Sequence, residues 1–253
     1  MPVIDTDIVV YGSLNMQEDN ITSPQGGGID TTTLIIFTDI IAASDTLDVV
    51  SSNAADTTQT LTVTGRLVDG SIATEVYTLT GTTPVVGVTT FERVLKMVLS
   101  AACAGAVTIE EATSKANLVV MQAGTTSVRR PFYNVSSEAV GGLAVDMYEK
   151  IFFKNENSTL ALTNATIAEI AGGVAANVEF YLDSTLDASD SATNRITEPV
   201  AATGNWSSAT LNVANSQNHS ANSAQGVWLH LNLPAGQAAT NSTYTLRESG
   251  QTV

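Results

Sequence analysis

The stretch that decides the fold is TTQTLTVTGRLVDGSIATEVYTLTG, residues 57–81. Apolar and polar residues alternate along it, with Leu61 and Val63 before a turn and Ile72, Val76 and Leu79 beyond it. A period of two sends successive side chains to opposite faces, which is the pattern of a half-buried strand. Asp69-Gly70 lies between the two runs, and that dipeptide favours the tight turn of a β-hairpin.

Working outward, GAVTIEE (105–111) has the same character, and TTFERVLKMVLSAA (89–102) precedes it at hairpin distance. Phe91, Val94, Leu95, Val98 and Leu99 also fit helical spacing, but the neighbouring strands favour a strand there. In the second half, YEKIFFKNEN (148–157), TLALTNATIAEI (159–170), NVEFYLDS (177–184), ATLNV (209–213), GVWLHLNLP (226–234) and TYTLRES (243–249) read as short strands between Asn, Gly, Asp and Ser turns. In GVWLHLNLP, Val227, Leu229, Leu231 and Leu233 face one way and Trp228 and His230 the other, which reads His230 as a solvent-facing or edge residue. The expectation is an all-β protein of two β-sandwich or jelly-roll-like domains, 30–128 and 129–253, preceded by an extended N-terminal arm, 1–29. Arg129-Arg130-Pro131 marks the boundary between the two domains.

The glycines of SPQGGGIDTTTLIIFT (23–38) invite a nucleotide-loop reading, which the order of residues rejects. A phosphate loop places Gly-Lys-Ser/Thr after a strand and before a helix. Here the glycines come first, Thr31 to Phe37 is β-branched strand material, and the next lysine is Lys96. The triplet reads instead as a joint that lets the arm leave the first domain at an angle.

Composition narrows the function. The chain has 253 residues, 43% hydrophobic and 14% charged, with 25 acidic and 10 basic residues and a net charge of −15. Phosphate contacts need Lys or Arg, so nucleic acid is not an expected partner. No run approaches the ~18 apolar residues of a membrane span, and no membrane partner is expected. The N-terminus has no basic region followed by an apolar core, so assembly in a cytoplasm is expected. Cys103, in SAACAGAV, excludes an internal disulfide and reads as a buried, inert thiol.

Chemistry finds no foothold. The two histidines, His219 and His230, have no marked nucleophile beside them, and Glu110, Glu111, Glu138, Glu149, Glu156 and Glu169 give no reason to pair any two. Asp183, Asp187 and Asp190 could offer oxygens to calcium, but they lack the spacing of a calcium loop and read as solvated surface carboxylates. The expectation is a non-enzyme with no catalytic, cofactor or metal residues.

Several phrases together carry a resemblance: YGSLNMQEDNITSPQGGGID, LTVTGRLVDG, TLTGTTPVVGVTTFERVLKMVLS, VRRPFYN, YEKIFFKNEN, LTNATIAEI and GVWLHLNLPAGQAATNSTYTLR. They resemble virion structural proteins of tailed bacteriophages, first of all head decoration (cement) proteins. The resemblance implies a subunit on the capsid surface, added to the major capsid protein and associated with itself, as a trimer in that group. The arm is then the expected attachment device. Its apolar cluster Ile8, Val9, Val10 and Tyr11, together with Arg129 and Arg130, forms the expected partner interface. A neck or tail subunit and a surface sugar-binding β-sandwich protein are the alternatives.

Overall fold

The computed structural model describes residues 2–16, 22–35, 44–132, 144–172, 177–236 and 244–252. Ile36, Phe37 and Glu138 of the sequence reading lie outside them. The structure is nearly all β, with 50% strand and 5% helix in what is described. The chain divides into two compact units, one split (Met1–Asp30 with Phe132–Val253) and one inserted between its halves (Thr31–Pro131).

In chain order, β1 (Ile8–Ser13) and β2 (Gln25–Gly26) open the split unit. The inserted unit then contributes β3 (Ile29–Leu34), β4 (Leu47–Ser51), β5 (Thr60–Arg66), β6 (Ile72–Thr78), β7 (Val85–Val86), β8 (Arg93–Leu99), β9 (Val107–Glu111), β10 (Asn117–Met121) and β11 (Ser127–Arg129). The split unit resumes with β12 (Val145–Asn155), β13 (Leu162–Ala171), β14 (Val178–Leu182), β15 (Ser191–Ala192), β16 (Leu211–Asn212), β17 (Ala224–Leu233) and β18 (Thr245–Thr252).

In the inserted unit one sheet runs β3-β11-β8-β5-β6 and the other β10-β9-β4-β7. Each buries one row of side chains. Leu61, Val63, Val94 and Met97 come from the first sheet, and Leu47, Val49, Val107 and Ile109 from the second, all at 1% exposure or less. Each such side chain contributes about 1.5–3 kcal/mol through removal from water. Asp69-Gly70 turns the β5–β6 hairpin as read, with Gly70 at φ 85°. On β6, however, Tyr77 is the buried residue, while Ile72 and Val76 are exposed. The apolar row of the sequence is therefore not the core row of that strand.

Residues 93–99 are a strand, and the helix-like spacing has a cause. Opposite β5 the register shifts, so that Lys96 faces Thr64 and Val94 faces Gly65. Leu95 is the extra residue of a β-bulge, and two adjacent residues, Val94 and Leu95, are both buried.

In the split unit the main sheet runs β14-β17-β12-β1, a second runs β16-β13-β18, and β15 pairs with β2. β12 and β17 pair antiparallel from Val145↔Leu233 to Lys154↔Ala224. β1 pairs antiparallel with β12, Ile8 with Asn155 through Gly12 with Ile151. This corrects the expected arm and its 1–29 boundary. Residues 8–13 are an integral strand of the unit that contains 132–253, because an apolar, β-branched segment is stabilised on the sheet edge its own chain provides.

Candidate functional site

The six residues expected at a partner interface belong to two separate units. Tyr11, on β1, is buried, and its hydroxyl donates to Glu156 Oε1 at 2.8 Å. Burial and the neighbouring Glu156 carboxylate raise its pKa. Ile8, Val9 and Val10 are half-buried beside it and register with Asn155, Lys154 and Phe153. In the inserted unit Arg129 is buried on β11, opposite Lys96. Arg130 donates from Nε to the Val94 carbonyl at 2.8 Å and from its backbone N–H to Leu95. The apolar cluster and the arginines thus take part in their own sheets, with Tyr11 and Arg129 buried and the other four half-buried.

The chemistry that the sequence did not reveal lies in the split unit. Lys150 sits in β12 on the face opposite Met147 and Ile151, aligned with Trp228 of β17, and its side chain is fully buried. Its ammonium reaches Asp183 Oδ2 at 2.7 Å, Asp190 Oδ1 at 2.8 Å and the Ala188 carbonyl at 3.0 Å. The same ammonium reaches the Asp190 carbonyl at 3.4 Å, so its three hydrogens are engaged within the fold. It also lies over the rings of Phe152 and Trp228, 5.0 and 5.5 Å from their centroids. The Trp228 indole donates to the other oxygen of Asp190 at 2.9 Å.

The two carboxylates respond in opposite directions. Burial pushes Asp183 up to about 6 even with Lys150 beside it. Burial also acts on Asp190, but the Lys150 hydrogen bond and charge and the Trp228 indole together hold it below the usual range. Gly226 leaves room for this arrangement, since a Cβ there would lie 2.0 Å from Asp183 Oδ2. Asp183 and Asp190 are therefore ion-pair partners and not the solvated loop residues expected. Asp187 accepts the Ala224 N–H at 2.8 Å. Among the described residues no group of His, Cys, Asp and Glu is placed to hold a metal ion.

Two more buried pairs accompany this one. Arg195 Nη2 lies 3.2 Å from Glu149 Oε1, both side chains at 0% exposure, and Glu149 Oε2 accepts the Phe132 N–H. His219, also fully buried, has Nδ1 2.6 Å from Glu248 Oε1 and Nε2 3.0 Å from the Ser223 carbonyl. Breaking such a pair by removing one partner typically costs about 3–5 kcal/mol.

Above this layer is an aromatic cluster. Tyr148 stacks on His230 at 4.8 Å between centroids, and Trp206 lies 5.0 Å from His230 and 5.5 Å from Tyr148. Tyr181 meets Trp206 edge-on at 6.5 Å. Carboxylates surround the rings: Asp146 bonds His230 Nε2 at 2.8 Å, Glu179 lies 3.6 Å from Nδ1, and Glu198 accepts the Trp206 N–H. Burial, with Asp146 and Glu198 nearby, pushes Tyr148 up to about 12. His230 is on β17, between β14 and β12, so it is neither an edge nor a freely solvated residue. The signal for this site is Lys150 between Tyr148 and Phe152 on one face of β12, where an inward charge requires a partner.

No protein-family profile, curated protein or solved structure matches this chain.

Proposed function

We propose that the chain is a non-enzymatic structural subunit of a tailed-phage particle, a head decoration protein that binds the major capsid protein and associates with itself. The observation that supports this reading is how the split unit uses its charge. Lys150, Arg195 and His219 are wholly buried and each is matched to a carboxylate within the fold, so these groups hold a rigid β scaffold together. Because β1 is part of that scaffold, attachment falls to surfaces other than an arm. The test is to add the purified protein to undecorated heads and image them. Density at regular positions on the capsid lattice is the expected result. Density confined to the neck or tail would establish the alternative structural role, and no association with particles would end this reading.

A sugar-binding reading is favoured by one observation, the Tyr148–Trp206–His230–Tyr181 cluster rimmed by Asp146, Glu179 and Glu198. Aromatic faces beside carboxylates suit the apolar and hydroxyl faces of a pyranose. Binding on a glycan array that Trp206→Ala abolishes would support it over the capsid reading.

A further inference from the structure

In the inserted unit β6 ends its sheet, and among the described residues no strand pairs with its outer side. The register fixes which backbone groups face outward. Leu79 donates to Gln59 and Leu67 to Ser71 across the β5–β6 hairpin, so the odd-numbered residues of β6 exchange hydrogen bonds with β5. The N–H and C=O groups of Ile72, Thr74, Val76 and Thr78 consequently point away from it. The same four residues are exposed, Ile72 at 46% and Val76 at 61%.

Two sheet ends of the split unit are protected. The outer side of β14 is closed by Ser207, which exchanges two backbone hydrogen bonds with Phe180. β18 carries Arg247 and Gly250, residues that discourage pairing. The single charge of β6 is Glu75, and its carboxylate is turned inward onto the Val88 and Thr89 N–H groups and the Tyr77 hydroxyl. Among the described residues no outward charge, proline or bulge interrupts β6.

We propose that β6 pairs antiparallel with β6 of a second copy of this chain across a two-fold axis at Thr74. In that register Thr74 faces Thr74, Ile72 faces Val76 of the other copy, and Val76 faces its Ile72. The two apolar residues exposed on each strand cover each other, which removes both from water. Charge selects this register over its neighbour. Pairing about Thr74 puts Glu75 opposite Ala73, whereas a shift to the next hydrogen-bonded register would put Glu75 opposite Glu75, and like charges directly opposite are destabilising. The contact is isologous and closes at two copies, so it does not depend on the capsid reading and differs from the trimer implied by resemblance.

The test uses the full chain in sedimentation velocity over a range of concentrations. A monomer–dimer equilibrium is expected, strengthened by added salt because two chains of net charge −15 repel. Val76→Lys should weaken dimerisation at least about tenfold, since a charged residue on an edge opposes strand addition. Thr74→Cys should form an interchain disulfide under mild oxidation, because its Cα would lie about 5.5 Å from its counterpart. Thr78→Cys should not. Unchanged circular dichroism would show that the variants fold. A monomer at all concentrations, or an oligomer that Val76→Lys leaves intact, would overturn the proposal. So would equal cross-linking at positions 74 and 78.

Discussion

Gly26 lies against Trp228 so closely that a Cβ on it would sit 2.6 Å from the indole Cη2. Its φ of 91° is in the left-handed region as well. The glycine triplet therefore serves a packing purpose within the split unit: it lets β2 cross the indole and pair with β15, while Gly27 donates to the Asp190 carbonyl. Gly26→Ala should destabilise the protein by about 2 kcal/mol or more through clash and backbone strain together. Urea unfolding followed by tryptophan fluorescence measures it, and an unchanged midpoint would refute the packing account.

Lys150→Met should cost about 3–5 kcal/mol, because Asp183 and Asp190 would be left without their shared cation. The triple variant in which both aspartates become Asn alongside Lys150→Met should recover part of that loss. A triple variant no more stable than the single one would argue that the lysine matters by shape alone.

Asp183 gives a stability change with pH whose sign is set by its raised pKa. The folded value, about 6, lies above the ordinary 3.8, so the folded protein binds this proton more tightly. Its contribution is fully present below 3.8 and is lost as pH rises through 6. Asp190, held low, acts oppositely and weakens the fold only as pH drops below the ordinary carboxylate range. Between pH 7 and pH 5 the urea midpoint should rise, and Asp183→Asn should flatten that rise. A variant with the same pH slope as the parent would assign it elsewhere.

Tyr11→Phe should cost about 1 kcal/mol, the usual value of one hydrogen bond, here to Glu156. Tyr11→Asp should cost several times more, by placing a charge at a buried position. Removal of residues 1–28 should lower the melting temperature of the split unit by exposing the β12 edge. A truncated chain that melts like the parent would restore the free-arm view.

Cys103 is buried, and its surroundings, then Asp56, push the thiol pKa up. Both effects suppress the thiolate. Labelling of the native protein by a thiol reagent should be slow and should speed up on unfolding, and Cys103→Ala should cost no more than about 1 kcal/mol. Fast native labelling would contradict the burial.

Strand content was legible because alternation is a local signal, and the Asp69-Gly70 turn and the split of faces in β17 follow from it directly. The side of β6 that is buried was not legible, since Ile72 and Val76 look like core residues unless Tyr77 is known to point inward. Bulged Leu95 mimicked a helix for a similarly local reason. The role of β1 required a partner far along the chain, which periodicity cannot name. Lys150 was the missed clue to the site: a lysine between Tyr148 and Phe152 on one strand face implies buried carboxylates, and the acidic loop at 183–190 supplies them.

The interruption of one unit by another imposes an order on synthesis. Tyr11 and its partner Glu156 are 145 positions apart. At about 5–20 residues per second, β1 emerges from the ribosome roughly seven seconds or more before β12. During that wait the residues from Thr31 to Pro131 can complete their own sheets, whose first and last strands, β3 and β11, lie side by side with Thr33 beside Ser127. A nascent chain stalled just beyond Pro131 should hold a finished domain at its centre and, at its head, a strand β1 whose β12 side is still open to aggregation, the form in which a chaperone would meet it.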